Sequence, residues 1–158
     1  MMKPFILICG PPHSLTSLVS KFLLDNGAIA PALWDNPHYD IPYARYEDKE
    51  IWEFMRKRQK FRKGELSEYF STLPDDKVAV AKEPGMVYFV NDLRKFTVRP
   101  IKVVFVIRNP EQTILSSMDK SGKSFIFYFE RISWMYQFII DCDFEVFISL
   151  PERIRKEG

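Results

Sequence analysis

The stretch FILICGPPHSLTS, residues 5–17, decides the fold class of this chain. Its first five residues form an unbroken apolar run, which is typical of a strand buried on both faces of a parallel sheet. A glycine and two prolines end that run, and apolar residues then return at helical spacing until Asn26 and Gly27, which are common helix-ending residues. The stretch therefore predicts a strand, a loop and a helix in immediate succession.

Further apolar runs predict strands that alternate with helices along the rest of the chain. Strands are expected at residues 78–81, 101–107 and 144–148. Helices are expected at residues 47–63, 65–73, 86–96, 110–118 and 125–140. This alternation predicts an α/β fold in three layers, with a mostly parallel sheet of about four to five strands and helices on both faces.

Length and composition favour one globular domain. The 158 residues are 46% hydrophobic and 28% charged, which excludes a disordered chain, a collagen-like repeat and a small disulfide scaffold. We expect a single domain over residues 1–158, with a loop and helical insertion at about 30–73. The 23 basic and 21 acidic residues give a net charge of only +2, which argues against a nucleic-acid partner.

The sequence also favours a soluble, cytoplasmic protein without a membrane partner. The first apolar run is too short for a signal peptide. No later window reaches the roughly 18 apolar residues that a membrane helix needs. The two cysteines, Cys9 and Cys142, lie far apart in apolar segments, which predicts free thiols rather than a disulfide.

Polar residues follow three of the predicted strands. They are the loop of residues 10–17, the pair Lys82-Glu83 and the pair Arg108-Asn109. Ligands of parallel α/β folds bind at the carboxyl ends of the strands. We therefore expect these three segments to converge on one edge of the sheet and to form a site there.

The loop after the first strand keeps the spacing of the nucleotide-binding pattern G-x-x-x-x-G-K-[ST] from Gly10 to Ser17. Leu15 replaces the second glycine and Thr16 replaces the lysine, which argues against ATP chemistry. The helix N-terminus and the hydroxyls of Ser14, Thr16 and Ser17 could still bind one phosphate or sulfate. The alternative is that Ser14 only caps the helix.

Residues 12–17, PHSLTS, resemble the 5′-phosphosulfate loop of the sulfotransferase family, which runs approximately Pro-(Lys/Arg)-Ser-Gly-Thr-(Thr/Ser). His13 stands in place of the cation and Leu15 in place of the glycine. Residues 80–84, VAKEP, are similar to the Lys-(Asp/Glu)-Pro element of the same family.

A third segment, residues 104–117, is similar to the family's 3′-phosphate motif. Arg108 ends a strand, and Ser116 follows eight positions later, as in that motif. The arginine can reach forward to the side that the serine faces, so both side chains can bind one phosphate. The three motifs also occur in the family's order along the chain.

The resemblance implies a P-loop NTPase-like fold that binds 3′-phosphoadenosine 5′-phosphosulfate. It implies sulfuryl transfer to a hydroxyl or amine of a small-molecule or glycan acceptor, with no metal ion. Glu83 would be the base, and His13 or Lys82 would neutralise the leaving oxygen. The implied cofactor-binding residues are Pro12, His13, Ser14, Leu15, Thr16, Ser17, Arg108 and Ser116.

Other interpretations remain open. The chain could be a non-catalytic module that binds phosphonucleotides on the same fold, or a nucleotide or small-molecule kinase. Lys82 and Glu83 could form a surface ion pair, and Arg108 could pair with a surface carboxylate. Basic residues at 56–63 could form a solvated helix face or attract an anionic acceptor.

An apolar stripe at helical spacing lies within residues 125–140. Such a stripe is far more often core than part of a ligand site, so we expect its members to be buried. They are Phe125, Phe129, Ile132, Tyr136 and Ile139.

Overall fold

The computed structural model describes residues 1–34, 47–57, 63–142 and 145–149. Its strands are β1 (Phe5–Cys9), β2 (Leu33–Trp34), β3 (Glu47–Asp48), β4 (Ala79–Lys82), β5 (Ile101–Val106) and β6 (Val146–Ser149). Its helices are α1 (Thr16–Asp25), α2 (Lys49–Lys57), α3 (Lys63–Ser71), α4 (Val90–Leu93), α5 (Pro110–Ser121) and α6 (Phe125–Asp141). Two 3-10 segments, Pro84–Phe89 and Arg94–Phe96, flank α4.

The strands form one sheet in the order β2-β3-β4-β1-β5-β6. β4, β1, β5 and β6 are parallel neighbours, with Phe5 aligned to Ala79 on one side and to Ile101 on the other. The predicted α/β class with a parallel sheet is confirmed. Because the neighbouring strands run the same way, the segments that follow β1, β4 and β5 all begin at one edge of the sheet.

Side chains alternate between the two faces of the sheet, and helices cover both. Phe5 and Leu7 point into the larger core, which α2, α3, α4 and α6 help to form. Ile8 points to the opposite face, where it packs with Val19 of α1. The first strand is therefore buried on both sides, as its unbroken apolar run predicts.

Two short strands within the proline-rich insertion were not predicted. β2 pairs antiparallel with β3, and β3 extends the sheet beside β4. Two residues are too few to show an alternating pattern, so only pairing with an existing sheet edge defines them. The helix expected from Glu47 begins at Lys49. The buried Asp48 carboxylate accepts the Ile51 N–H at 3.0 Å and so caps the N-terminus of this helix.

The helix expected at 86–96 is mostly 3-10 in character. Only Val90–Leu93 is α-helical, and 3-10 turns lie on both sides of it. This segment is rich in β-branched and aromatic residues, which lose side-chain freedom in an α-helix. The Glu83 side chain begins the first turn by accepting the Gly85 N–H at 3.3 Å.

The two C-terminal helices agree more closely with the bounds predicted from the sequence. Asn109 caps α5 by accepting the Gln112 N–H at 3.2 Å, and Pro110 is the first helical residue, as expected. In α6, Ile132 is buried as predicted, but Phe125 and Phe129 are 45% and 54% exposed. The prediction that the whole stripe is core is therefore wrong, because neighbouring elements cover only one side of the helix.

In the described residues, no helix combines the length and the apolar character needed to cross a membrane. Cys9 and Cys142 are both free thiols, as expected. The side chains of the basic run at 56–63 lie outside the described residues, so their role stays a prediction.

Candidate anion-binding site

The loop that leaves β1 is packed against the ends of both neighbouring strands. The Gly10 N–H donates to the Pro84 carbonyl at 3.3 Å, just beyond β4. A Cβ atom on Gly10 would lie 2.7 Å from the Val106 carbonyl oxygen of β5 and 2.9 Å from Ser14 Oγ. Only glycine fits in this space, and its φ of +155° also disfavours other residues.

Two residues of the loop have left-handed backbone conformations although neither is glycine. His13 has φ 64° and Leu15 has φ 69°. Leu15 is the N-cap residue of α1, and its carbonyl accepts the Leu18 N–H at 3.0 Å. This conformation costs roughly 1–2 kcal/mol for an L-residue, so contacts elsewhere in the loop must hold it. Leu15 thus has the backbone conformation of a glycine at the position where both loop patterns place one.

Ser14 lies at the centre of the loop and is completely buried. Among the described residues, its hydroxyl oxygen has no hydrogen-bond partner. Leu15 is the N-cap residue of α1, and no side chain caps that helix, so the interpretation of Ser14 as a simple cap is wrong. A buried hydroxyl without a partner costs about 1–3 kcal/mol, which calls for an explanation such as a ligand.

Lys82 brings a positive charge to the first turn of α1. It ends β4, is 2% exposed, and donates from Nζ to Ser17 Oγ at 3.2 Å. The backbone N–H groups of a helix N-terminus carry partial positive charge as well. Lys82, at the end of a neighbouring strand, therefore places a cation beside the Ser17 hydroxyl.

Glu83 lies beside the end of β1. It is 5% exposed, and its backbone N–H donates to the Ile8 carbonyl at 3.1 Å. Burial, and secondarily the negative charge of Glu83, raise the pKa of the Cys9 thiol well above its ordinary value. Cys9 is therefore kept protonated, and the Glu83 carboxylate acts on the end of β1 that leads into the loop.

Arg108 connects the end of β5 to the loop. Its Nη1 donates to the His13 carbonyl at 3.3 Å, and the residue is half-buried. Ser116, also half-buried, lies in the second turn of α5, which starts from the same strand end. That Arg108 and Ser116 bind the same phosphate stays a prediction.

The expected convergence of the three strand ends is present in the structure. The loop contacts Lys82 through Ser17, and it contacts Arg108 through the His13 carbonyl. The sequence did not reveal the left-handed Leu15, because leucine gives no signal for that conformation. It also did not reveal why Gly10 is required, because the atoms that exclude a side chain there belong to distant segments.

No family model and no curated protein sequence matches the chain. The resemblance to sulfotransferases therefore depends on the motifs at residues 12–17, 80–84 and 104–117, and on how these segments meet.

Proposed function

We propose that this chain is a sulfotransferase-like protein with a P-loop NTPase-like fold. It binds 3′-phosphoadenosine 5′-phosphosulfate and transfers the sulfuryl group to a hydroxyl or amine of a small-molecule or glycan acceptor. The observation that carries the proposal is the Lys82–Ser17 contact at the N-terminus of α1. The buried ammonium, the helix N–H groups and the Ser14 hydroxyl, which has no partner among the described residues, together favour a compact multivalent anion.

Binding of the cofactor is divided between two strand ends. Residues 12–17 hold the 5′-phosphosulfate, and the left-handed Leu15 supports this role because it keeps the backbone shape that the family obtains with glycine. Arg108 and Ser116 hold the 3′-phosphate. Arg108 also donates to the His13 carbonyl, so it links the two phosphate positions.

Transfer requires one bond to form and one to break. The acceptor oxygen or nitrogen attacks sulfur in line, and the bond from sulfur to the bridging oxygen of the 5′-phosphate breaks. Glu83 takes the acceptor proton, and His13 or Lys82 neutralises the leaving oxygen. One such donor can contribute about 3–4 kcal/mol of transition-state stabilisation.

A non-catalytic phosphonucleotide-binding module is the second candidate. Two observations favour it: His13 replaces the permanent cation of the family loop, and Glu83 is only 5% exposed. An acceptor would need direct access to a carboxylate that is almost excluded from water.

A kinase is less well supported. Thr16 replaces the loop lysine, and Lys82 approaches the helix from another strand. A kinase would bind ATP more tightly when Mg²⁺ is present.

Calorimetric titration separates these possibilities. Adenosine 3′,5′-bisphosphate, ADP and Mg-ATP are each titrated into the native protein, into Arg108→Ala and into the control Arg94→Ala, an exposed arginine outside the site. We expect a preference for the bisphosphate that Arg108→Ala removes and Arg94→Ala keeps. Equal binding of the bisphosphate and ADP would contradict the proposal, and Mg-dependent ATP binding would favour the kinase.

Transfer is then tested with radiolabelled 3′-phosphoadenosine 5′-phosphosulfate and a panel of phenol, amine and glycan acceptors. Labelled product that Glu83→Gln abolishes is the expected result. Tight bisphosphate binding without transfer to any acceptor would leave the binding module as the function.

A further inference from the structure

A groove between α6 and the 3-10 segment Pro84–Phe89 is lined mainly by aromatic side chains. Its volume is about 370 Å³, which is enough for a small ligand. Its lining residues are Tyr88, Phe127, Glu130, Arg131 and Trp134. We call it the α6 groove, and none of its residues belongs to the candidate anion-binding site.

Four of these residues form one face of α6. Phe127, Glu130, Arg131 and Trp134 follow the spacing i, i+3, i+4 and i+7, which places their side chains along one side of a helix. Phe127 is 38% exposed and Trp134 is 74% exposed. The rings of Phe127 and Trp134 are thus two helical turns apart and partly exposed to solvent, with the charged residues Glu130 and Arg131 between them.

The aromatic walls of the α6 groove are suited to a cation. Lys123 Nζ lies 4.3 Å from the centre of the Phe127 ring, so this ring already attracts one positive charge. The Tyr88 ring packs edge-on against Phe138 at a centroid distance of 5.4 Å, which holds it in place. Glu130 adds a negative charge to the same surface.

Arg131 provides the opposite charge. Burial raises the pKa of the Tyr88 hydroxyl, and the positive charge of Arg131 partly offsets that rise. The Arg131 guanidinium is therefore near enough to the Tyr88 hydroxyl for its charge to act on it. A planar guanidinium binds phosphate or carboxylate through two parallel N–H groups. The groove can thus match a ligand that carries both charges.

We propose that the α6 groove binds a zwitterionic group of the phosphocholine type. The methylated ammonium lies against Tyr88 and Trp134 beside Glu130, and the phosphate pairs with Arg131. A quaternary ammonium has no N–H groups and gains from the ring faces.

Such a group could belong to a free small molecule or to a lipid headgroup at a membrane surface. Ile126 and Phe129, on the same helix, are 67% and 54% exposed. Exposed apolar side chains beside the groove would enter a lipid surface but would add nothing to a free ligand. The chemistry in the groove is the same in both cases.

The first experiment measures binding of free phosphocholine to the whole protein by calorimetry. The comparison probe is 3,3-dimethylbutyl phosphate, in which carbon replaces nitrogen. We expect phosphocholine to bind roughly tenfold more tightly, because the shapes match and only the positive charge differs. Equal affinity for the two probes would overturn the proposal.

Variants test the roles of the charged residues. Glu130→Gln and Arg131→Gln should each weaken phosphocholine binding several-fold. Asp141→Asn on the same helix and Arg94→Gln elsewhere make the same changes of charge outside the groove, and should have no effect. Because the two sites share no residue, Arg108→Ala should leave phosphocholine binding unchanged even where it abolishes bisphosphate binding.

Co-sedimentation with phosphatidylcholine vesicles identifies the source of the group. Vesicle binding that Arg131→Gln and Ile126→Ser both reduce supports a lipid headgroup. Binding of free phosphocholine alone, with no effect of Ile126→Ser, supports a small molecule. The proposal is contradicted if neither form binds, or if Glu130→Gln and Arg131→Gln leave both kinds of binding intact.

Discussion

The ammonium of Lys82, at the end of β4, lies 3.2 Å from the hydroxyl oxygen of Ser17 in the first turn of α1. Lys82 is only 2% exposed, so this charge has been moved out of water next to the positive end of a helix. An anion bound at this helix end would meet both the ammonium and the helix N–H groups, which makes Lys82 the sharpest test of the candidate site.

Lys82→Met should weaken binding of adenosine 3′,5′-bisphosphate about tenfold or more, as loss of a charge-assisted hydrogen bond would. The free energy of unfolding is measured in parallel, so that a loss of binding can be distinguished from a loss of the folded structure. Titration calorimetry and urea unfolding measure the two quantities. The control is Lys102→Met, a more exposed lysine of β5 that pairs with Glu145. A loss of stability with unchanged binding would assign Lys82 a purely structural role.

His13 gives a prediction about the pH dependence of transfer. Histidine side chains lose their charge near pH 6.5, so a rate that needs the imidazolium should fall as the pH rises through that range. His13→Lys should make the rate independent of pH there, because lysine stays charged. Transfer rates of both proteins across this range provide the measurement. Identical flat profiles would exclude His13 as the group that neutralises the leaving oxygen.

From the left-handed backbone of Leu15 we expect two substitutions to destabilise the protein by different amounts. Leu15→Val should destabilise the protein by about 1 kcal/mol or more, because a β-branched residue resists a φ of 69°. Leu15→Asn should cost less, since asparagine adopts this conformation more readily. Urea unfolding of both variants gives the comparison. Equal stability of the two would mean that the conformation of Leu15 contributes no strain.

Gly10 should not tolerate a methyl group. Gly10→Ala would bring a Cβ within 2.7 Å of the Val106 carbonyl oxygen, so we expect a loss of more than about 2 kcal/mol of stability. Gly122→Ala is the matched control: its φ is also positive, at 69°, but a Cβ there would meet nothing within 4 Å. Thermal unfolding compares the two. A smaller loss for Gly10→Ala than for Gly122→Ala would contradict the packing described for the loop.

Asp48 predicts how stability changes with pH. Its buried carboxylate accepts hydrogen bonds from the Ile51 N–H and, at 2.8 Å, from the Tyr69 hydroxyl. Burial nevertheless raises its pKa above the ordinary 3.8. The folded protein therefore binds this proton more tightly than the unfolded chain does. The contribution of Asp48 to stability must then fall as the pH rises from near 3.8 through the raised pKa, and stay constant above it.

Asp48→Asn should remove this part of the pH dependence. Urea unfolding of the native protein and the variant at a series of acidic pH values gives the free energy of unfolding of each. The difference between the two values at each pH is the contribution of Asp48. A difference that grows in favour of the native protein as the pH rises would show that hydrogen bonding, rather than burial, determines the pKa of Asp48.

The central part of the fold was predictable from local patterns. The apolar run at residues 5–9 predicted β1 with its observed bounds, and Asn109 with Pro110 predicted the start of α5. These features depend on side-chain periodicity and on hydrogen bonds between residues a few positions apart. The convergence of three loops could also be inferred, because parallel strands place their carboxyl ends at one edge.

Other features depend on contacts that no local pattern contains. β3 is defined by its pairing with β4, and β2 by its pairing with β3. Phe125 and Phe129 have helical spacing suited to a core, yet nothing in that spacing shows which side of α6 its neighbours will cover.

The amino-acid sequence by itself determined the strand, loop and helix at residues 5–25, the parallel sheet, and which polar residues follow the strands. Only the tertiary structure decided that Lys82 lies beside Ser17, because the two residues are 65 positions apart in the chain. It also decided that Leu15 takes a glycine-like conformation. The first feature depends on packing between distant segments, which local periodicity and motif spacing do not encode, and the second on a loop conformation for which leucine gives no sequence signal.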